Sequence, residues 1–184
     1  MHQTRGMTVF SASKRSTAVV PHSRDAVWTV LTDAKLVARM TPMVRSIEDH
    51  GGIWLWKLAP IEVLGKSIGL TFTERMEFTP TERIVYTHAP QGEERAGVEG
   101  IYELTDAGPD AGPEAGPGTG PRTGPHRSGG ALGTQLTIEL GVDVDLPFPR
   151  LAKPAVQTSM QAVIAAMGVG FARNLERELS HRDH

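Results

Sequence analysis

Between Thr134 and Leu146 the sequence TQLTIELGVDVDL sets Leu136, Ile138, Leu140, Val142, Val144 and Leu146 at alternate positions, with Thr137, Glu139, Gly141, Asp143 and Asp145 between them. An extended strand sends such a series to one face, because successive side chains point to opposite sides of a sheet. One face of this strand therefore lies on a core or cavity and the other in water. A run so long needs neighbouring strands and a cover for its apolar side.

The chain supplies both. From Met43 to Leu146 the apolar period is two, interrupted by turn signals at His50-Gly51-Gly52, Ala59-Pro60, Thr79-Pro80-Thr81 and Ala89-Pro90-Gln91-Gly92. Six strands fall between them, roughly 43–49, 53–59, 67–78, 83–89, 97–105 and 134–146. Turns this short favour an antiparallel meander, since parallel strands need long crossovers. Thr8 to Val20, rich in β-branched residues and stopped by Pro21, adds a seventh strand. The cover is C-terminal: after Pro154, the residues Val156, Met160, Val163, Ile164, Met167, Phe171, Leu175 and Leu179 form one stripe of a long amphipathic helix over about 155–180. A helical segment between the first two strands starts at Ser23, a good N-cap, with Asp25 in its first turn, and breaks near Thr32-Asp33-Ala34. The expected class is α+β: a curved seven-stranded antiparallel sheet wrapped around a long C-terminal helix.

With 19 basic and 21 acidic residues the chain offers no field to nucleic acid or to an anionic membrane surface. It has no cysteine, which removes thiol catalysis and thiolate metal sites. Its seven histidines are scattered, without an HExxH pair, so no metal site is expected. No glycine-rich phosphate loop and no G-x-S-x-G elbow is present. No uninterrupted run of about 18 apolar residues and no N-terminal signal core is found, so the expectation is a cytoplasmic protein without an integral membrane segment. Oligomeric state is left open.

The order of elements, together with STAVVPHSRDAVWTVLTD, WLW, FTERMEF, ERAGVEGIYEL and GTQLTIELGVDVDLPFPRL, resembles the START-related helix-grip superfamily, also called SRPBCC, the polyketide cyclase/dehydrase and lipid-transport group. The resemblance covers residues 8 to 180 apart from a Gly-Pro tract. It implies a deep, mostly apolar cavity between sheet and long helix, which holds lipids, polyketides or similar hydrophobic molecules and needs no cofactor. A cyclase or dehydratase working inside the cavity is the first alternative. A protein-interaction module with a filled core is the second.

If the even positions of 134–146 face inward, the neighbouring strands can be phased by their own apolar sets. Phe72, Glu74, Met76, Tyr86, His88, Tyr102, Leu140 and Val142 then face the interior, opposite Met160, Ile164 and Met167 of the helix. Trp54 and Trp56 share one face of their strand and either grip a flat ligand or belong to the core. Glu74, His88, Tyr86 and Tyr102 are the candidate catalytic groups: a carboxyl or imidazole in a low-dielectric cavity is a tunable base, and a tyrosine can polarise a carbonyl. The alternative is that the tyrosines and histidine only orient a ligand or bond one another, and that Glu74 pairs with Arg75, Arg83 or Arg95. Gly168 and Gly170 in the long helix provide either a thin, flexible segment over the cavity or close packing. A mouth is expected at the end carrying residues 60–65, 90–97 and 147–154, where Lys66, Arg95, Arg150 and Lys153 could hold an anionic head group.

The tract AGPDAGPEAGPGTGPRTGP, at about 107–130, repeats Gly-Pro every fourth residue, which excludes the three-residue period of collagen. It cannot build a core, so the 184 residues are expected to form a single domain with a disordered hairpin insertion. Lengthening a hairpin loop from four to about 26 residues costs on the order of 1.5 to 2 kcal/mol of closure entropy. Replacing Asp110 to Ser128 by a Gly-Asn turn is accordingly expected to leave thermal stability and ligand binding unchanged, as checked by a melting curve and a binding titration; a large loss of either overturns the insertion reading.

Overall fold

The computed structural model describes residues 8–108 and 133–182. The Gly-Pro tract lies almost wholly outside them, but its flanks do not. Strand β8 (Ala96–Asp106) pairs antiparallel with β9 (Thr134–Leu146) in unbroken register from Ala96↔Val144 to Asp106↔Thr134. The bond from Ala107 N–H to the Gly133 carbonyl, at 2.9 Å, continues the ladder beyond them.

The remaining strands are β1 (Thr8–Val20), β2 (Val44–Asp49), β3 (Ile53–Leu58), β4 (Ile61–Val63), β5 (Lys66–Ile68), β6 (Thr71–Thr79) and β7 (Arg83–His88). Seven form one antiparallel sheet in the order β1-β9-β8-β7-β6-β3-β2, leaving β1 and β2 at its edges. The even residues of β9 and their cross-strand partners share the concave face, so Val98, Tyr102 and Leu104 stand opposite Val142, Ile138 and Leu136.

Helix α1 (Arg24–Leu31) and helix α2 (Ala34–Met40) follow β1. The Ser23 hydroxyl accepts from Ala26 N–H at the start of α1. Asp33, in extended conformation, accepts from the N–H groups of Lys35 and Leu36, and this restarts the chain as a second helix where the sequence shows a break. A 3-10 turn (Arg150–Ala152) leads into the 30-residue α3 (Lys153–Arg182).

One expected strand is split. Residues 67–78 do not run as one strand: β4 and β5 make a separate two-stranded hairpin, and the sheet strand begins only at Thr71. The hairpin turns through Leu64 and Gly65, both at positive φ. Its Ile61 and Ile68 are buried, as is Phe148 just after β9, and the Lys66 ammonium sits 5.3 Å from the centre of the Phe148 ring.

Helix α3 is, by length and composition alone, apolar enough to cross a membrane. Here its stripe has another use, since Val156, Met160, Phe171, Leu175 and Leu179 are buried against the sheet and α1–α2. The helix is tied down at both ends. Gln157 donates to the Ser11 carbonyl of β1 at 3.2 Å, and Asn174 donates to the Met40 carbonyl at 2.9 Å. Gly170 lies so close to Pro42 that an added Cβ would run into the proline ring, whereas Gly168 has open space around it. Close packing thus explains Gly170 and not Gly168. Gly168→Ala should stabilise the protein by about 1 kcal/mol, the ordinary helix-interior gain. Gly170→Ala should destabilise it, because the proline must be displaced; denaturant unfolding of the two variants checks the opposite signs.

Candidate functional site

The interior is not filled. A cavity of about 440 Å³ lies between the concave face and α3, so the filled-core alternative does not hold. Its walls are apolar over most of their extent: Phe72 and Met76 from β6, Leu140 and Val142 from β9, Met160, Ile164 and Met167 from α3. Trp54 and Trp56 from β3 also line it, as do Glu74, Tyr86 and Tyr102. Twelve of the thirteen residues expected on the ligand face therefore come together.

His88 is the exception and needs correction. His88 ends β7, still paired with Glu74 of β6, but pairing between β7 and β8 has already stopped at Tyr86↔Gly100, so on that side the 89–95 loop and not a strand meets its ring. Its Nε2 lies 3.0 Å from Glu94 Oε2, its ring packs against Gly97, and it is not part of the cavity wall. Glu94 belongs to the 89–95 loop and also accepts from the Thr73 hydroxyl at 2.6 Å, Thr73 N–H at 2.8 Å and Gln91 N–H at 3.2 Å. Burial alone would raise the Glu94 carboxyl, but these bonds outweigh it and hold the group below the usual carboxylate range.

Glu74 sits at the middle of the concave face, paired across the ladder with Trp54 on one side and His88 on the other. It is 2% exposed and makes no ion pair among the described residues, so Arg75, Arg83 and Arg95 do not neutralise it. Burial pushes its carboxyl up to about 8; the nearby Trp56 indole opposes this without closing a hydrogen bond. At neutral pH the group is mostly a neutral acid, able to donate one hydrogen bond and accept others.

The two tyrosines differ. Their rings are 5.3 Å apart and both hydroxyls are held above the ordinary phenol range, chiefly by burial and then by neighbouring acidic groups. Tyr86 donates to the Glu139 carbonyl at 2.7 Å, lying across Gly100, where any Cβ would collide with the hydroxyl. Its proton is committed. The Tyr102 hydroxyl has no hydrogen-bond partner among the described residues and remains available to an occupant. Trp56 stacks on Phe72 at 5.6 Å with 15° between the planes, and Trp54 lies 6.3 Å from Trp56.

The mouth is not where the sequence suggested. That end is covered by the β4–β5 hairpin and Phe148, and Lys66 is engaged over the Phe148 ring. The wall residues that reach solvent are Lys14, Ser16, Ala18 and Val19 of β1, and Gly168, Val169, Ala172 and Glu176 of α3. The opening is a lateral slot between the edge strand and the helix. A signal for it was present: the inward phase of β1 reads Phe10, Ala12, Lys14, Ser16, Ala18, Val20, polar or small in the middle and apolar at its ends.

No family model matches the sequence, and no curated protein matches it. Solved structures do. The ZhuI aromatase/cyclase from Streptomyces sp. R1128 superposes with a TM-score of 0.60 at 16% identity, over 95% of this chain and 96% of that one. The chain has the helix-grip fold. A START superfamily protein from Mycobacterium smegmatis matches with a TM-score of 0.54 at 16% identity, over 96% of this chain and 99% of that one. The di-domain ARO/CYC StfQ from the steffimycin biosynthetic pathway gives 0.56 at 15% identity over 95% of this chain, which spans 52% of that protein. In the helix-grip frame, Glu74 is a buried acid facing the space between sheet and grip helix.

The raised Glu74 group makes stability depend on pH in a defined direction. The folded state keeps the proton up to about 8, while the unfolded chain releases it near the ordinary 4.5. Stability from this group is full below 4.5 and is lost as pH rises to about 8, by on the order of 1 kcal/mol per unit. Glu74→Gln should therefore gain on the parent protein across that window and show a constant difference above it. Denaturant midpoints at several pH values measure this; a difference independent of pH would show that Glu74 is not buried as a proton-holding acid.

Proposed function

We propose that the protein binds a hydrophobic small molecule, a lipid, polyketide or similar compound, in the cavity between sheet and α3. The observation that carries this reading is the cavity itself: about 440 Å³, walled by apolar and aromatic side chains, with a few convergent polar groups and a slot to solvent. An empty space of that size costs stability, since cavity formation is unfavourable in proportion to volume, and an occupant recovers the lost contacts. The fold-level likeness to a START superfamily protein supports the reading without naming a ligand.

A second reading, a polyketide cyclase/dehydratase-like enzyme, is favoured by Glu74 and Tyr102. A buried carboxyl held near 8 is matched to proton transfer at neutral pH, and a free phenol beside it can polarise a carbonyl. Two of the structural neighbours are named as aromatase/cyclases, which supports the same class. His88 has no part in it. Under this reading Glu74→Gln binds the ligand but does not turn it over; under the first, no turnover exists to lose.

Mass spectrometry of material extracted from the purified protein is the direct test of the first reading. Ile164→Trp, which fills the cavity from α3, should keep the far-ultraviolet spectrum and weaken binding of an apolar fluorescent probe at least tenfold, about 1.4 kcal/mol. Unchanged probe affinity in that variant, with no extractable ligand, overturns the binding reading.

A further inference from the structure

We propose that the occupant carries an amine, whose ammonium group is seated on Glu74 within the rings of Trp54, Trp56, Phe72, Tyr86 and Tyr102. This rests on the cavity reading above and adds a chemical class to it. The chain has ten aromatic residues, three Trp, two Tyr and five Phe, and the five named here converge on one cavity wall. They come from the strands beside Glu74: Trp54 is its direct cross-strand partner, Phe72 its neighbour on β6, and Tyr86 and Tyr102 lie on β7 and β8. An aromatic face carries a negative quadrupole and attracts a cation, most strongly when water is excluded.

The charge inventory points the same way. The charged residues of the wall are Glu74, Lys14 and Glu176, and the last two stand exposed at the slot. Among the described residues the one cation of the wall is Lys14, on the inward face of β1 but exposed at the slot and not ion-paired with Glu74; β3 brings tryptophans, β7 and β8 bring Tyr86 and Tyr102, and α3 brings Met160, Val163, Ile164 and Met167. His88, across the ladder, is turned onto Glu94. Glu74 has no ion-pair partner among the described residues, so its charged form is costly to bury unless an opposite charge matches it, and an ammonium group does. A carboxylate ligand would face electron-rich rings and, once Glu74 gives up its proton near 8, a like charge as well. A neutral ligand could accept a bond from the protonated acid but would gain little from the ring faces.

The binding step balances as follows: the neutral Glu74 acid and the ammonium ion give a carboxylate–ammonium pair, and the Glu74 proton passes to solvent. Because the acid holds its proton to about 8, amine affinity should rise with pH below that value, approaching tenfold per unit, until the free amine itself deprotonates. Neutral analogues should show no such rise.

The test compares naphthylmethylamine, naphthylmethanol and naphthoate, which share one ring system, by calorimetry on the full chain between about pH 6 and 8. The amine should bind at least tenfold tighter than the alcohol at the upper pH, lose that advantage at the lower, and release a proton that shows in the dependence of heat on buffer. Naphthoate should bind weakest. In Glu74→Gln the amine should fall to the level of the alcohol, whose own affinity stays within about twofold and so reports that the cavity is intact. Alcohol binding equal to or tighter than amine, or amine binding insensitive to pH, overturns the amine assignment and leaves the cavity reading standing. Binding of none of the three overturns both.

Discussion

The architecture depends on how α3 is held away from the sheet. Near its start Gln157 bonds the Ser11 carbonyl and Val156 is buried, while towards its end Gly170 touches Pro42 and Asn174 bonds the Met40 carbonyl. Between these anchors the stripe residues Val163, Ile164 and Met167 remain only half-buried, because they look into space and not onto side chains of the sheet. The helix meets β1 near Gln157 and the chain at the end of α2 around Gly170 to Asn174, and parts from the sheet between them. The cavity follows from that geometry, and its chemistry follows from which side chains the sheet curvature brings to the centre.

At that centre the sequence places an acid where periodicity calls for an apolar residue. In FTERMEF, Phe72 and Met76 flank Glu74 on the same face. The desolvation cost is met by retaining the proton, which is why the group sits near 8 and not near 4.5. The surrounding strands relieve it little: the Trp56 indole opposes the rise without cancelling it, Tyr86 spends its proton on the Glu139 carbonyl, and His88 spends its ring on Glu94. A site that violates its own pattern and leaves the violation unsatisfied is where function is sought first.

The strand phase was legible because it needs only alternation, and β9 carries enough of it to fix its neighbours. Twelve cavity residues could be named from that phase and from the stripe of α3, since both are one-dimensional patterns with known periods. What failed needed three dimensions. The 67–78 segment alternates well enough to pass as one strand, but β4–β5 folds back so that Ile61 and Ile68 can bury at the cavity wall. His88 has the right parity and is still paired with Glu74 on β6, yet β7 has left β8 at Tyr86, and the ring turns to the loop that fills the gap. The bond that captures it comes from Glu94, in a loop whose path no period describes.

The slot could not be found by reasoning from loops, because it is made by an edge strand. From Ser13 to Val19 both faces of β1 are exposed, although the strand is fully paired to β9 on one side. An edge so long would invite pairing with another chain, and it carries Lys14 and Arg15, the latter bonded to Glu139 across the ladder at 2.8 Å. Lys14 guards the edge and, with Ser16, also leaves the inward face of β1 short of apolar bulk, so α3 has little to close upon there. Protection of the edge and access to the cavity thus come from one stretch of sequence, and shortening the gap would require apolar side chains at Lys14 and Ser16, where an edge strand can least accept them.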